Sequence, residues 1–424
     1  MKQRLYPELG ESVWWSRLEN GLTVAVVPRK GFSKKYAYLV TDYGSIHTEF
    51  SVDGKPFSAP AGVAHYLEHK MFDLPGRDVS EEFAALGANV NAFTSYDLTA
   101  YYFSCTERFG ECLALLLEFV ATPYFTEETV EKEQGIIGQE IDMTADAPDT
   151  RVFEMLMENM YRQHPIRVPI LGSRDTIARI TPQVLEACHS AFYRPDNMML
   201  CVVGDVDPEQ VEAMASGICA GKGTVTRRDG WQEDMTCGGG GCEEYMEVAM
   251  PMFQIGFKAE PLGKGPEAVK QEIVGDLAAE ALFGESSELY LRLYEQGIID
   301  SSFGGGLETV EGMAMLTLSG DSDHPDAVLE AVLEEAQRLS ETGVEEEAFQ
   351  RMKRSALGRR LRELDSFDSV CFRLCAYYFS GFDYFDFPEV YRQVNREDIQ
   401  EFLKRVVTRQ RCSLSVIYPK EETQ

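Results

Sequence analysis

The stretch ECLALLLEFVATPYFTEETVEKEQGIIGQE, residues 111–140, decides the fold because the chain uses its pattern twice. It predicts an apolar helix, a short turn and an acidic second helix, and it follows a strand-like segment, TAYYFSC, at 99–105. The same order recurs in MAMLTLSG at 313–320 and in DAVLEAVLEEAQRLSETGVEEEAFQRMKRSALGRR at 326–360. We therefore predict an internal duplication of one α+β unit, each copy an antiparallel or mixed sheet with helices packed on one face.

The chain length and one glycine-rich segment set the predicted domain boundaries. At 424 residues the chain is too long for one ordinary core and suits two domains of about 200 residues each. Residues 211–241 include AGKGTVTRRDGWQEDMTCGGGG, which is rich in glycine and charge and is typical of a linker. The sequence thus predicts a first domain at 1–210, a linker at 211–241 and a second, similar domain at 242–424.

The charge balance bears on possible partners. The chain has 40 basic and 70 acidic residues, a formal net charge of −30. This balance disfavours nucleic acid and anionic membranes as partners. A solvated acidic surface explains the excess most simply. The alternative is that part of the negative charge lines a substrate chamber and attracts basic peptides.

The expected cellular compartment is inferred from the absence of an apolar membrane-spanning or signal segment and from the spacing of the cysteines. No run approaches the roughly 20 apolar residues that cross a bilayer, and the first residues have a basic start without an apolar core. The ten cysteines have no framework spacing, and the close pairs, Cys371 with Cys375 and Cys237 with Cys242, are expected to be reduced thiols. We therefore expect a cytoplasmic protein without a secretory signal.

Two local predictions concern residues 80–105. In SEEFAALG, Ser80 is predicted to cap a helix that stops at Gly87. NVNAFTSYDLTAYYFSC, residues 89–105, predicts two strands that meet at the turn residues Ser95 to Asp97.

The chemistry is concentrated in AGVAHYLEHKMFD, residues 61–73, which contains two of only six histidines in the chain. His65 and His69 are four residues apart, so on a helix both can point at one ion. Glu68 is three positions from His65 and lies on the same face, where it can take a proton from bound water. The order is the mirror of the H-E-x-x-H zinc motif. The segment therefore predicts a catalytic zinc site.

A catalytic zinc site needs a third protein ligand from another element. Glu133 and Glu140 are seven residues apart, two helical turns, so both face the same way. Their helix can supply one ligand and one supporting carboxylate. Taken alone, H-x-x-E-H could be a solvated helix face, and the acidic helix could be only that. The two motifs occur together in one of the two duplicated halves, which favours zinc.

At this point the chain resembles the insulinase/pitrilysin family of metallopeptidases, the inverted zincins, over nearly its whole length. Four segments resemble, in order, the family's zinc helix, its substrate-binding strands, its third-ligand helix and the segment that closes its first domain: GVAHYLEHKMF (62–72), GANVNAFTSYDLTAYYF (87–103), EKEQGIIGQEIDM (131–143) and FYRPDNMMLCVVGDVDP (192–208).

The resemblance implies one zinc ion per chain, held by His65, His69 and Glu140. It also implies a water-activating base at Glu68 and a supporting catalytic carboxylate at Glu133. The implied activity is that of a zinc-dependent endopeptidase, which cuts peptides or short unfolded segments in a closed chamber.

The resemblance further implies a substrate-binding strand edge at Asn91, Ala92 and Phe93. A peptide would add there as a strand, so that backbone hydrogen bonds give affinity with little sequence preference.

One departure from the family pattern lies in the second half. Active members usually carry an arginine and a tyrosine seven residues apart, in a segment like L-R-x-x-x-G-x-x-Y. The matching segment here is LRLYEQGIIDSSF, residues 291–303. With Gly297 on the family glycine, Leu293 takes the arginine position and Asp300 the tyrosine position. This resembles the zinc-bearing subunit of two-chain members, such as the mitochondrial processing peptidase and certain bacterial pairs.

We therefore expect a peptidase subunit that pairs with a paralogous chain carrying the missing arginine and tyrosine. The alternative of another class is a non-catalytic assembly or peptide-binding subunit of the same family, which retention of the five zinc-site residues disfavours. A self-sufficient homodimer is a third possibility. The physiological substrate does not follow from the sequence.

Overall fold

A computed structural model describes residues 1–217, 224–227, 230–237 and 240–420. Two compact units divide the chain, and each combines β-strands with α-helices. The predicted α+β class with two related halves is confirmed. Within the described ranges, no helix has both the length and the apolar character needed to cross a membrane.

The strands that the structure describes are, in chain order, β1 Lys2–Tyr6, β2 Glu11–Arg17, β3 Thr23–Pro28, β4 Lys35–Thr41, β5 Glu49–Val52, β6 Lys55–Ser58, β7 Asp73–Leu74, β8 Arg77–Asp78, β9 Asn89–Thr94, β10 Thr99–Cys105, β11 Met198–Gly204, β12 Val225–Arg227, β13 Cys242–Met246, β14 Met252–Ala259, β15 Gly304–Val310, β16 Met313–Asp321 and β17 Cys412–Pro419.

The α-helices of the same ranges are α1 Val63–Lys70, α2 Val79–Ala85, α3 Phe109–Ala121, α4 Glu127–Ala145, α5 Pro148–Met160, α6 Arg174–Ile177, α7 Pro182–Phe192, α8 Pro208–Ala215, α9 Pro266–Phe283, α10 Glu288–Glu295, α11 Pro325–Thr342, α12 Glu346–Glu363, α13 Phe367–Phe379, α14 Phe387–Gln393 and α15 Arg396–Val406.

The main sheet of the first unit runs in the order β1-β2-β3-β11-β4-β10-β9. Strand β11 reads MMLCVVG and is buried throughout, because it lies at the centre and is covered on both faces. Leu39 and Tyr101 face the apolar core built with α1 and α3. Strand β9 is the last strand of this sheet in the described part of the chain, so one of its edges is unpaired.

The main sheet of the second unit runs in the order β13-β17-β14-β16-β15. The order β3-β11-β4-β10-β9 of the first unit has the same sequence of pairings. Each series begins with a parallel pair and continues with antiparallel pairs. The repeated pairing order supports the duplication that the sequence predicts.

The two halves of the chain exchange one helix each. Helix α5 comes from the first half but packs on β14 and β17 of the second unit. Helix α13 comes from the second half but packs on β4 and β11 of the first unit, on the sheet face opposite α3. The compact units therefore differ from continuous domains at 1–210 and 242–424, because 142–168 lies in the second unit and 361–386 in the first.

Part of the predicted linker at 211–241 falls outside the described residues, namely 218–223, 228–229 and 238–239. Of the rest, residues 211–215 complete α8, and β12 pairs with β5 in the first unit. Cys237 donates to the backbone oxygen of Arg411 in the second unit. The described linker residues are thus distributed between the two units.

Several cysteines lie in the core as free thiols. Cys371 and Cys375 are free and fully buried on α13, and the Cys371 thiol approaches the backbone oxygen of Cys201 at 3.8 Å. Cys237 and Cys242 are also free thiols in the structure.

Candidate metal centre

Helix α1 presents both histidines from a buried segment. Gly62 precedes the helix with φ of 91°, and a Cβ at this position would lie 2.4 Å from the backbone oxygen of Leu171. Only glycine fits this entry turn. Val63 and Leu67 bury one side of the helix, and the polar side carries His65 and His69 one turn apart.

Helix α4 faces α1 and is held to it by apolar and polar contacts. Val130 and Ile137 are buried in the core of the first unit. The hydroxyl of Tyr66 donates a hydrogen bond to the backbone oxygen of Val130. These contacts fix the side of α4 that carries Glu133 and Glu140 against the histidines.

The structure brings His65, His69 and Glu140 together. The His65 Nε2 and Glu140 Oε1 atoms are 3.6 Å apart, and the His69 Nε2 and Glu140 Oε2 atoms are also 3.6 Å apart. One ligand atom from each residue lies within 4.8 Å of the others.

These separations fit a zinc ion. They are longer than a good hydrogen bond. They are close to the ligand–ligand distance of about 3.4 Å that follows from tetrahedral zinc with bonds of 2.0–2.1 Å. Two imidazoles and a carboxylate are also a known catalytic zinc donor set. The three side chains therefore fit the metal that the sequence predicts.

Glu133 orients one of the histidines. Its Oε1 lies 3.0 Å from Nδ1 of His69, so Nδ1 donates to the carboxylate and Nε2 is left for a metal. Burial disfavours the imidazolium of His69, but the Glu133 hydrogen bond and the nearby carboxylates raise its pKa. Burial disfavours the ionised form of Glu133, but the hydrogen bond and charge interaction with His69 lower the pKa of its carboxyl group.

Strand β9 holds the carboxylate of Glu68 in place. The hydroxyl of Thr94 on β9 donates to Oε2 of Glu68 at 2.8 Å. Glu68 is 9% exposed, and this burial raises the pKa of its carboxyl group, against the opposing effect of His65 and the Thr94 bond. The carboxyl group is therefore positioned beside the cluster and favours accepting a proton more than an exposed glutamate does.

Two contributors were not predicted from the sequence. Thr94 lies in the predicted strand segment 89–105, but the contact of its hydroxyl with Glu68 depends on which face of the strand is turned toward α1. Tyr66 fits the apolar helix pattern, and its contact with α4 needs the tertiary structure. The orientation of His65 also comes from packing, because its buried Nδ1 makes no hydrogen bond within the described residues.

Comparison with known proteins decides the family. Residues 57–174 match the family model described as Insulinase (Peptidase family M16), and residues 179–356 match the one described as Peptidase M16 inactive domain. The chain is 37% identical over 423 residues to the uncharacterized zinc protease YmfH of Bacillus subtilis, with 98% of each chain covered.

The chain belongs to the insulinase (M16) family.

Solved structures agree with this assignment. An M16-like peptidase from Alicyclobacillus acidocaldarius has a TM-score of 0.92 and 31% identity to this insulinase-family chain, covering 97% of it and 99% of the other chain. A protease from Helicobacter pylori shares the fold, with a TM-score of 0.83 at 18% identity over 96% of this chain and 99% of the other.

In this insulinase-family chain, β9 is the last strand of its sheet among the described residues, and the resemblance predicts peptide binding at this edge. Its side chains alternate between the two sheet faces. Ala92 and Thr94 share the face of α1, because Thr94 contacts Glu68. Asn91 and Phe93 are on the other face, where the Phe93 ring lies 5.9 Å from the Phe372 ring of α13.

The backbone of Ala92 faces the free edge of β9. Its N–H donates to Oδ1 of Asn91 at 2.9 Å, so it does not point at β10. The Phe93 ring packs against Tyr102 as well as Phe372. Of the three predicted substrate-binding residues, Ala92 thus offers a backbone donor at the edge, whereas the Phe93 side chain supports the strand from behind.

The second unit has no equivalent of the metal cluster among the described residues. Arg360 pairs with Glu272 at 3.2 Å and Arg359 pairs with Glu280 at 3.3 Å, between α12 and α9. Ion pairs thus join these two helices.

Leu293 and Asp300 are the two residues that the resemblance assigns to the family's arginine and tyrosine positions. Leu293 on α10 is only 3% exposed and packs into the unit. Asp300 accepts hydrogen bonds from the backbone and hydroxyl of Ser302, which lower its pKa. Neither residue provides a cationic or phenolic donor.

Proposed function

We propose that this chain is a zinc-dependent endopeptidase subunit. The observation that carries the proposal is the cluster of His65, His69 and Glu140 at metal-sized separations, with Glu68 beside it. These three residues hold one zinc ion per chain. When bound, zinc polarises a peptide carbonyl and lowers the pKa of water.

Glu68 acts as the general base. Thr94 holds Oε2, which leaves Oε1 to accept a proton from the attacking water. The same carboxyl group then delivers that proton to the leaving amine. Burial favours this role because it raises the pKa of Glu68 toward the pH at which proton transfer is efficient.

Glu133 supports the catalytic residues. Its hydrogen bond to Nδ1 selects the tautomer of His69 and fixes the ring plane. The carboxylate also adds negative charge behind the imidazole, which increases its basicity as a ligand.

The substrate binds as an added strand at the free edge of β9. Pairing along the segment Asn91–Phe93, through the outward-facing backbone of Ala92, places an extended peptide beside α1. The strand also contributes Thr94, which positions Glu68, so the peptide and the base share one support. This arrangement favours peptides and short unfolded segments, because only extended backbone can pair with the edge.

A partner chain completes the site. Leu293 and Asp300 offer no donor for the oxyanion that develops during hydrolysis. A paralogous subunit with the arginine and tyrosine supplies these donors, and the two chains close around the substrate as a chamber. The heterodimer is favoured over a homodimer because a second copy of this chain would bring the same Leu293 and Asp300.

A non-catalytic peptide-binding subunit is the second candidate. The match of residues 179–356 to the inactive-domain model is its main support. A non-catalytic role does not explain why Glu68 is held beside a cluster with metal-sized separations.

Metal analysis of variants tests the proposal. His65→Ala and Glu140→Gln should lose most of the zinc that copurifies with the wild type, about one ion per chain. Glu68→Gln should keep the zinc and lose hydrolysis. Full zinc content in His65→Ala would disprove the ligand assignment, and unchanged hydrolysis in Glu68→Gln would disprove the assignment of the base.

A further inference from the structure

One exposed apolar side chain lies directly beside the metal cluster. Ile136 on α4 is 46% exposed. It is three residues after Glu133 and four residues before Glu140. Residues at these spacings are neighbours on a helix surface, so Ile136 lies between the two carboxylates.

Internal packing does not explain this isoleucine. The adjacent Ile137 is fully buried and supplies the contact of this turn with the core. Helix propensity does not explain it either, because a β-branched residue is a weaker helix former than the alanine, glutamate or lysine common at exposed positions. An exposed isoleucine beside two carboxylates of the cluster is available for contact with a bound molecule.

The position of Ile136 indicates what it contacts. On the Ile137 side, α4 is closed by the core of the first unit. The cluster itself is open to solvent, since the Glu140 side chain is 41% exposed and that of His69 is 26% exposed, and Ile136 is exposed on the same helix as Glu140. A peptide bond that reaches the cluster must enter from the open side, where one of its flanking side chains meets Ile136.

We propose that Ile136 determines substrate specificity by binding an apolar side chain next to the scissile bond. The proposal rests on the proposed function, because it assigns the peptide's reacting bond to this cluster. Ile136 forms an apolar wall next to the carboxylates of Glu133 and Glu140, so it favours leucine-like side chains over serine at a single substrate position. Metal binding does not involve Ile136.

Peptide binding tests the inference without hydrolysis. Zinc-loaded Glu68→Gln protein is titrated with labelled peptides of one host sequence, each with leucine or serine at one position, and affinity is read from fluorescence anisotropy. We expect one position at which leucine binds about 5-fold more tightly than serine, the low end of what one apolar contact provides. Ile136→Ser should abolish that difference, and Ile136→Leu should keep it.

Two controls make the result specific. Leu5→Ser removes another exposed apolar side chain, which is 64% exposed on β1, at the end of the first unit's main sheet opposite β9, and should change neither the affinity nor the leucine preference. Zinc content should be the same in all variants. A leucine preference that survives in Ile136→Ser, or the absence of any leucine preference, would overturn the inference, as would an equal loss of affinity for every peptide.

The proposed function is judged separately. Zinc content, and hydrolysis by the chain with Glu68 intact in the presence of its partner, report on the peptidase, whereas the ratio of leucine-peptide to serine-peptide affinity reports on Ile136. A protein that hydrolyses peptides but binds the leucine and serine peptides equally well supports the proposed function and contradicts the inference about Ile136.

Discussion

The hydroxyl of Thr94 has a role that the residue type alone does not suggest. It is the hydrogen-bond donor that holds Oε2 of Glu68, and it comes from the strand proposed to bind the peptide. A charge-assisted hydrogen bond of this kind contributes roughly 1.5–3 kcal/mol. Thr94 therefore positions the proposed base and does not itself need to touch the reacting atoms.

In the mixture with the partner chain, Thr94→Ala should lower kcat/KM about 10-fold because Glu68 loses the bond that orients it. Zinc content should not change, since Thr94 is not a ligand. Thr94→Ser keeps a hydroxyl and should retain most of the activity. Equal activity of the alanine and serine variants, measured on one fluorogenic peptide, would show that the bond is unimportant.

Residues that act through helical spacing were predictable, and residues that act through tertiary contacts were not. His65 with His69, and Glu133 with Glu140, share helix faces at four- and seven-residue spacings, which the sequence displays directly. The contact between Thr94 and Glu68 depends on which face of β9 is turned toward α1. A one-residue change in strand register would reverse it, and the sequence alone does not fix that register.

At the scale of elements, the start of α2 differs from the sequence prediction. Ser80 was predicted as the cap, but the helix begins at Val79, and Asp78 accepts from the backbone N–H groups of Ser80 and Glu81 at 2.8 and 3.1 Å. Both residues suit a cap. The β7–β8 hairpin settles the choice because it ends at Asp78 and leaves that residue extended.

Asp78→Ala should lower the free energy of unfolding by about 1 kcal/mol, since two backbone donors lose their acceptor. Ser80→Ala should have a much smaller effect because Ser80 lies inside the helix. Denaturant titration of both variants measures the difference. A larger loss in Ser80→Ala would contradict the cap at Asp78.

Strand β9 permits a backbone test of peptide binding. Ala92→Pro removes the N–H that faces the free edge, and proline is tolerated on edge strands when that group points outward. The variant should fold but bind extended peptides several-fold more weakly, whereas Ala92→Ser keeps the N–H and should bind normally. Normal peptide affinity in a folded Ala92→Pro protein would exclude strand addition at this residue.

The strands and helices themselves were largely predictable. The predicted hairpin at 89–105 is present as β9 and β10, and the two helices after it are present as α3 and α4. Alternating and 3.6-residue patterns encode such elements locally. The helix exchange was not predicted, because an apolar helix face shows that a helix packs but does not identify the sheet that it covers.

At the scale of the whole molecule, the proposed function makes the activity of the chain alone depend on the second unit. Loss of one oxyanion donor typically costs about 10² to 10³ in kcat. With Leu293 and Asp300 at both family positions, this chain should show little turnover alone. The buried position of Leu293 also means that a simple Leu293→Arg change would place a charge in the core and destabilise the unit.

Mixing this chain with a paralogous partner that carries the arginine and tyrosine should raise turnover at least 100-fold over either chain alone. The assay uses one fluorogenic peptide at equal protein concentrations, and the mixture with Glu68→Gln should remain inactive. Strong turnover by this chain alone, unchanged by the partner, would favour the homodimer.

The exchanged helix α13 has a consequence for synthesis on the ribosome. The strands of the first sheet are complete once β11 has been made, but residues 367–379, which cover Tyr38 and Cys201, are translated much later. At 5–20 residues per second, the uncovered sheet face waits roughly 10 to 30 s for its own chain to cover it. During this interval the nascent protein exposes an aromatic β-surface, which makes it a natural client for chaperones that bind at the ribosome exit.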